Sequence, residues 1–248
     1  MRIDVLTIFP GMFTGVLGES ILKIAQEKGK LRVVLTNLRD FTTDRHRTVD
    51  DRPYGGGPGM LMKPEPIVRA VRALRTPPLL PEDAPNVGQA EAPVVQGEQN
   101  PGRVLLMCPR GRKFDQAYAR ELSQERRLIL IAGHYEGYDE RIVDLVQAEL
   151  VSIGDYVLTG GEIPALAVID AVARLLPGVL GHDESVNSES FAPGNDGLLE
   201  YPQYTRPAVF EGKSVPEILV SGNHAKVAAW RLEQARLKTR QQRPDLLG

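Results

Sequence analysis

The chain of 248 residues is long enough for one large domain, or for one domain with a small appendage. Its formal net charge of −2 excludes a global positive field, so a nucleic-acid partner would need a local basic patch. The single cysteine, Cys108, excludes a disulfide framework and a cysteine-rich zinc site. Without a signal-peptide pattern or an apolar run of membrane-spanning length, the sequence predicts a cytoplasmic protein with no membrane partner.

The first third of the chain predicts strands and helices around a long irregular segment. β-Branched and alternating runs are typical of strands, and apolar residues at helical spacing are typical of helices. A proline-rich stretch at 76–102 is expected to form a flexible linker or a surface excursion. In chain order the other elements are a strand at 3–9, a helix to about Gln26, a strand at 31–38, an irregular loop at 39–62 and a helix at 64–74.

Fully apolar strands alternate with helices through the middle of the chain. Strands that are apolar on both faces indicate a mostly parallel sheet covered by helices, so the predicted fold class is α/β. The last of these helices is apolar almost all round, which predicts that it lies inside the domain. The elements are strands at 104–108 and 128–132, a helix at 114–122, a helix capped by Asp139, short strand pieces at 150–153 and 156–158, and a helix at 162–176.

The last quarter of the chain changes from polar to basic. A helix is predicted at 224–242, and between 224 and 243 there are six Lys or Arg residues against one acid, Glu233. Val227, Trp230 and Leu237 are expected to pack one face of this helix. The predicted organisation is an α/β domain at 1–180, a flexible interdomain linker at 181–214 and a small basic helical domain at 215–248.

The stretch "DDRPYGGGPGML" at 50–61 allows three interpretations. It could be a phosphate-binding loop, a plain turn, or a mobile segment that becomes ordered over a substrate. The Lys-Ser or Lys-Thr pair that a P-loop requires is missing, and a plain turn needs fewer glycines. The Asp and Arg residues just before the glycines could contact a substrate or could form ion pairs in a solvated loop.

Two glycine-containing loops, 133–137 and 154–161, each follow an apolar strand. Ligands of open α/β sheets bind at the carboxyl ends of strands, and glycine lets the backbone approach a ligand closely. Neither loop matches the dinucleotide fingerprint, so a nucleotide-like ligand would not be bound in Rossmann geometry. The alternative is that both loops are ordinary turns of an α/β protein.

Asp170 and Arg174 lie four residues apart on the apolar helix. They could form a surface ion pair; alternatively an interior Arg174 would need an anionic partner such as a substrate. Cys108 lies on an apolar strand and is expected to be an inert core residue. The four histidines show no metal-ligand spacing.

The motifs, taken in order, resemble the bacterial tRNA (guanine-N1)-methyltransferase family of the SPOUT superfamily. The resemblance runs from residue 3 to the last helix, with interruptions mainly at 76–102 and 193–197. The motifs are "DFTTDRHRTVDDRPYGGGPGMLM", "GHYEGYDERI", "SIGDYVLTGGEIPALAVIDAVAR", "PGVLGHDES", "YPQYTRP" and "ILVSGNHAKVAAWR".

This resemblance implies methylation of N1 of the guanosine immediately 3′ of the tRNA anticodon, position 37, with S-adenosylmethionine as donor. It also implies a SPOUT-type sheet with a deep trefoil knot at roughly 104–180, and a homodimer with active sites at the interface. The family is reported to need Mg²⁺, and the sequence shows no all-protein metal cage, which fits a loosely held ion.

The resemblance assigns site residues to matching positions. Arg174 matches the catalytic arginine, and Glu189 occupies the position of the family's general base, which is an aspartate. Asp183 and Glu184 are nearby alternatives for the base, and Gln203 replaces a histidine that the family often has. Contacts with tRNA are expected at Asp50, Arg52, Lys226 and Arg231. The expected donor-binding residues are Met107, Cys108, Pro109, Gly133, Tyr135, Glu136, Ile153, Gly154, Asp155, Tyr156, Val157, Leu158, Gly160, Gly161 and Pro164.

Overall fold

The computed structural model describes residues 1–75, 101–181 and 188–247. The chain divides into two compact units, Met1–Gly181 and His182–Gly248. The predicted excursion at 76–102 falls almost entirely outside the described residues, as do Asp183 and Glu184. Within the described ranges, no helix has the length and apolar character needed to cross a membrane.

A five-stranded parallel sheet forms the centre of the first unit, as the apolar strands predicted. Its order is β2-β1-β6-β5-β7, and every neighbouring pair is parallel. Each residue of the central strand β6 is buried, which explains its apolar sequence. The strands are β1 (Arg2–Thr7), β2 (Arg32–Asn37), β5 (Arg103–Lys113), β6 (Arg127–Ile131) and β7 (Glu149–Ser152), and a separate ladder pairs β3 (Asp50–Asp51) with β4 (Leu61–Met62).

Helices cover both faces of this sheet and bury two apolar clusters. Leu22, Tyr118 and Val168 belong to the cluster on one face, and Ile67 and Ile142 belong to the other. The sheet is therefore an interior layer, as expected for an α/β domain. The helices are α1 (Thr14–Leu17), α2 (Ser20–Glu27), α3 (Pro64–Arg75), α4 (Gln116–Ser123), α5 (Arg141–Val146) and α6 (Glu162–Ala173).

The predicted single helix after β1 is wrong. The chain instead forms a 3-10 turn at Pro10–Met12, then α1 and α2. Ser20 has a left-handed φ of 50°, which a continuous helix does not permit. The break therefore follows from the backbone between α1 and α2, which the apolar spacing did not reveal.

The strand predicted at 156–158 is also wrong, because the chain turns back directly after β7. The Ser152 hydroxyl accepts the N–H of Gly154 at 3.3 Å and donates to its carbonyl at 3.0 Å. Val157 is 84% exposed. The apolar side chains of this segment thus belong to an exposed loop, and the apolar pattern misled the assignment.

Helix α6 is not buried all round, contrary to its apolar sequence. Ala165, Val168 and Val172 are completely buried, whereas Ile163 is 51% exposed and Asp170 is exposed. One face of the helix packs on the sheet. The other face is apolar without being covered by the described part of the chain, so apolar composition overstated its burial.

The irregular segment at 39–62 has more structure than its sequence predicted. It begins with a 3-10 turn at Leu38–Phe41 and is closed by the β3–β4 ladder, in which Asp50 is opposite Met62. The ladder pairs residues 50–51 with 61–62, so that residues 52–60 form a loop on a fixed base.

The second unit contains the predicted helix, His224–Gln242, with the expected bounds. Ala235 and Thr239 are its buried residues, whereas Leu237 is 39% exposed, so the prediction that Leu237 packs is wrong. The Thr239 hydroxyl accepts the N–H of Leu199 at 2.9 Å. The segment predicted as a linker thus contacts the helix within this unit, and its flexibility stays a prediction.

Candidate functional site: a cavity at the carboxyl ends of the strands

A cavity of about 420 Å³ lies in the first unit, where the loops after β6 and β7 meet the middle of β5. Its position agrees with the rule that α/β sheets bind ligands at the carboxyl ends of their strands. The structure brings together all the predicted donor-binding residues except Asp155. Those that line the cavity are Met107, Cys108, Pro109, Gly133, Tyr135, Glu136, Ile153, Gly154, Tyr156, Val157, Leu158, Gly160, Gly161 and Pro164.

Asp155 points away from this group. Its side chain is 95% exposed, and its carboxylate lies 3.9 Å from the Lys113 ammonium. An ion pair this exposed contributes little stability. The motif match placed Asp155 in the site because it is adjacent to cavity residues in sequence, and the turn after β7 separates them.

The two glycine loops form one wall of the cavity because their backbones touch. Gly161 donates its N–H to the Gly133 carbonyl at 2.7 Å, and His134 pairs with Gly160 in an antiparallel bridge. A Cβ on Gly161 would lie 2.8 Å from the Ala132 Cα, which real Cβ atoms do not tolerate. Glycine is required here because two backbones pass at contact distance.

Sequence reasoning left several cavity residues unassigned. Arg110 donates to the Tyr138 hydroxyl at 3.1 Å and to Glu140 at 2.8 Å, and both Arg110 and Tyr138 line the cavity. Burial, together with hydrogen bonding to Cys108, raises the pKa of Tyr138 above its usual range. Cys108 is a free, buried cysteine as expected, although it also forms part of the cavity wall.

The glycine-rich segment is attached to the cavity wall at its end. Glu136 donates its N–H to the Met60 carbonyl at 3.1 Å, and Met62 donates to the Gly137 carbonyl at 2.9 Å. A Cβ on Gly59 would lie 2.8 Å from the Glu136 Oε1 atom. The glycines at 55, 56, 57 and 59 all have positive φ, which explains why glycine recurs in this segment.

Asp50 is half-buried and interacts with Tyr135, a residue that lines the cavity. The pKa of Tyr135 is raised by burial first and then by the charge and hydrogen bond of Asp50, while Arg39 opposes the change. Tyr135 itself has a left-handed φ of 63°. Arg52 is exposed, and its N–H donates to the Asp51 carboxylate at 2.8 Å. The two predicted RNA contacts in this segment therefore differ in accessibility.

The two predicted catalytic residues belong to different units. Arg174 is half-buried at the end of α6, and its N–H donates to the Asp170 carbonyl at 3.2 Å. Glu189 is half-buried in the second unit, where its carbonyl accepts the Ala192 N–H at 3.1 Å. The local geometry of each is defined, and their assignment to catalysis stays a prediction.

The predicted RNA contacts of the last helix lie on its accessible side. Lys226 and Arg231 are both exposed, and the Arg231 guanidinium lies 4.7 Å from the centre of the Tyr201 ring. The helix begins with the Asn223 side chain accepting the Lys226 N–H at 3.1 Å. Because both side chains are exposed, they can bind an anionic partner without displacing buried residues.

The described residues contain no group of three His, Cys, Asp or Glu side chains that could hold a metal ion. The nearest approach to such a group at the cavity is His134, whose Nδ1 atom lies 3.7 Å from the Glu162 carboxylate. Two side chains at this distance do not form a metal cage.

Comparison with known proteins gives a consistent result over the full chain. A family model described as tRNA (Guanine-1)-methyltransferase TrmD matches residues 1–248. Similar curated proteins include three tRNA (guanine-N(1)-)-methyltransferases. That of Geobacillus kaustophilus is 51% identical over 248 residues, covering 100% of this chain and 91% of the relative. That of Carboxydothermus hydrogenoformans is 52% identical over 247 residues (100% and 87%), and that of Dictyoglomus turgidum is 53% identical over 247 residues (100% and 90%).

Proposed function

The chain belongs to the tRNA (guanine-1)-methyltransferase TrmD family, and from this premise we propose how its own residues carry out the reaction. The activity is methylation of N1 of guanosine 37 in tRNA, with S-adenosylmethionine as the methyl donor. One observation carries the assignment of the site: three of the family motifs, which are far apart in the sequence, contribute residues to one cavity at the ends of parallel strands.

We assign donor binding to this cavity. Its volume of about 420 Å³ lies within the range of small-molecule sites. The backbones of Gly133, Gly160 and Gly161 have no side chains to block a ligand, and Ile153 and Leu158 supply apolar lining. When bound, the donor supplies a methyl group activated by a sulfonium. The residues of the cavity bind and orient it, which reduces the barrier by fixing the direction of attack.

Arg174 is proposed to stabilise negative charge on the guanine. Removal of the N1 proton spreads charge to O6, and a guanidinium directed there acts where charge develops in the transition state. The position of Arg174 in the family motif, half-buried at the end of α6, supports this role.

Glu189 is proposed to accept the N1 proton. A carboxylate within hydrogen-bond reach of N1 is suited to general-base catalysis. Glu189 is the carboxylate directly before Ser190-Phe191 and corresponds to the family's aspartate. Its extra methylene lengthens the side chain, so the local backbone must place it differently from an aspartate.

The tRNA is proposed to contact both units. Lys226 and Arg231 would bind phosphates, with an affinity that falls as salt rises. Asp50 and Arg52 would contact the RNA near the donor cavity. The target base must leave its stack to reach a donor held in this cavity. Since tRNA is the substrate, we also infer a cytoplasmic location.

A homodimer with a knotted first unit is proposed on the family resemblance, and the exposed apolar side chains of the first unit support self-association. Tyr156 is 54% exposed, Val157 84% and Ile163 51%, and Tyr156 and Val157 also border the donor cavity. Contiguous exposed apolar surface is typical of a subunit contact. Light scattering is expected to give twice the mass of one chain.

Magnesium is not assigned to any residue. The described residues lack a cluster of metal ligands, so they do not fit a protein-held ion. No step of the reaction is derived through a metal.

Calorimetry combined with single-turnover assays tests the proposal. The wild type is expected to bind S-adenosylmethionine but not ATP, and to methylate tRNA carrying guanosine at position 37 but not tRNA lacking it. Glu189→Gln is expected to retain donor binding and to lose methyl transfer. Full methylation by this variant would exclude Glu189 as the base, and a wild type that ignores the donor would refute the site assignment itself.

A further inference from the structure

A buried carboxylate, Glu162, lies behind the wall of the donor cavity without lining it. It is 1% exposed, in the first turn of α6, where the helix N-terminus favours negative charge. The Thr7 hydroxyl, which is itself buried, donates to Glu162 Oε1 at 2.8 Å. The same hydroxyl accepts the Phe9 N–H at 2.9 Å, so the carboxylate is anchored to the end of β1.

The other carboxylate oxygen lies beneath the contact between the two glycine loops. Glu162 Oε2 is 3.7 Å from the Nδ1 atom of His134, which is buried and has no hydrogen-bond partner. A Cβ on Gly160 would collide with Oε2 and would lie 2.6 Å from His134 Nδ1. The carboxylate, the imidazole and Gly160 therefore occupy one tightly filled volume.

Both neighbours of this carboxylate form the wall that faces the donor. His134 and Gly160 are joined by the antiparallel bridge and both line the donor cavity. The His134 ring also packs edge-on against Phe9, with ring centres 4.8 Å apart. A second, small cavity of about 130 Å³ is lined by His134, Gly160 and Glu162 themselves, so this carboxylate borders a space distinct from the donor cavity.

Burying an ionised carboxylate is costly unless its interactions compensate. Glu162 accepts a hydrogen bond from Thr7 on one oxygen, and its second oxygen faces the imidazole. We propose that Glu162 is a positioning residue for donor binding: anchored by Thr7, it fixes His134 and Gly160 and so sets the shape of the donor-binding wall. This inference rests on the proposed donor site and names residues beyond it.

The experiment compares two buried or half-buried carboxylates of the same unit. Glu162→Gln keeps an oxygen that can accept from Thr7 and removes the charge facing His134. Glu149→Gln is the matched control, because Glu149 binds Arg103 and does not line the cavity. We expect Glu162→Gln to weaken S-adenosylmethionine binding about tenfold in calorimetry, since small displacements of a positioning wall are costly. Glu149→Gln should lower the unfolding temperature without changing donor affinity.

A second readout separates positioning from catalysis. Because Glu162 does not line the donor cavity, the single-turnover rate of Glu162→Gln at saturating donor should stay close to that of the wild type. Unchanged donor affinity in a folded Glu162→Gln protein would overturn the inference. If Glu162→Gln does not fold, donor binding is measured instead with the Thr7→Val and Thr7→Ser variants. Weak binding by the valine variant with recovery in the serine variant supports the anchor, and wild-type binding by the valine variant refutes it. A wild type that fails to bind the donor would instead refute the proposed function.

Discussion

The two units of the chain differ in how many of their residues are buried. The first unit buries two apolar clusters around a five-stranded sheet, and its cavity is formed by backbones in direct contact. In the described part of the second unit, the buried residues are Ala192, Leu198, Ala235 and Thr239. A small ligand needs a preformed wall, whereas phosphates need accessible cations. Substitutions in the first unit should therefore change donor binding, and substitutions of exposed cations in the second unit should change tRNA binding.

Gly161→Ala should have the largest effect, because it acts on the preformed wall. The added Cβ would meet the Ala132 Cα and the Gly133 nitrogen at 2.8 Å, so one of two backbones must move. We expect donor affinity to fall about a hundredfold, a loss of about 2.8 kcal/mol, because a backbone that lines the donor cavity must move. Calorimetry with S-adenosylmethionine measures it.

Gly15→Ala is the control for this substitution, because a Cβ there meets nothing within 4 Å. It should bind the donor like the wild type. Near-normal affinity of Gly161→Ala would show that the contact between the loops is not a condition for binding.

Arg103→Met should lower the stability of the first unit by about 2 kcal/mol at neutral pH, because it leaves the half-buried Glu149 carboxylate without its charged partner. Arg103 donates to Glu149 at 2.6 Å and contacts Glu121 at 2.7 Å. It also lies near the Tyr118 ring, and burial raises the pKa of that tyrosine to about 12. Thermal unfolding measures the loss.

The acid dependence of stability gives a second test of the same residue. Hydrogen bonding to Arg103 holds the pKa of Glu149 below its ordinary value of 4.5. A lowered folded-state pKa means that this stabilisation is complete above the ordinary value and is lost as pH falls through the folded value. Arg103→Met should therefore be less sensitive to acid than the wild type, and equal slopes below pH 4.5 would contradict this.

Replacing both Lys226 and Arg231 with alanine should weaken tRNA binding about tenfold and reduce its salt dependence, because two phosphate contacts are lost. Donor binding should be unaffected, since these residues belong to the second unit. Filter binding at two salt concentrations measures the effect. Lys23→Ala, an exposed cation of the first unit, is the control, and an equal loss there would mean that the basic helix has no special role.

Thr239→Val should have the smallest effect, about 1 kcal/mol in the stability of the second unit, because it leaves the Leu199 N–H without its acceptor. The Thr239 hydroxyl also donates to the Ala235 carbonyl at 2.8 Å. Hydrogen exchange at the Leu199 amide should become faster. Thr239→Ser keeps the hydroxyl and should exchange like the wild type; faster exchange in both variants would implicate the methyl group instead.

The sheet could be predicted from sequence because strands that are buried on both faces consist of consecutive apolar residues. The apolar runs of β6 and of the first half of β5 are short and alternate with helical patterns, which favours buried parallel strands. The broken helix before Ser20, the turn after Ser152 and the exposed Leu237 were missed, because each depends on backbone conformation or on packing that spacing does not encode.

The cavity residues came from motif resemblance rather than from spacing. Periodicity indicated only that glycine loops follow two strands. It could not reveal that Gly161 touches Gly133, nor that Arg110 and Tyr138 join the wall, because these contacts connect distant parts of the chain. On α6 the apolar sequence led to the opposite error. It predicted burial all round, but Ile163 is 51% exposed, because an apolar residue does not by itself indicate that another part of the chain packs against it.

The attachment of the glycine-rich segment to Glu136 and Gly137 has a thermodynamic consequence. Tyr54, at the tip of this segment, is 99% exposed, while the end of the segment is hydrogen-bonded to the cavity wall. Any ligand whose affinity depends on that wall also biases the conformations open to the segment. By reciprocity, a partner that binds the segment and prefers one of those conformations changes the affinity of the cavity by the same factor. Order of addition would then alter binding rates, while the free energy of the ternary complex would stay the same by either route.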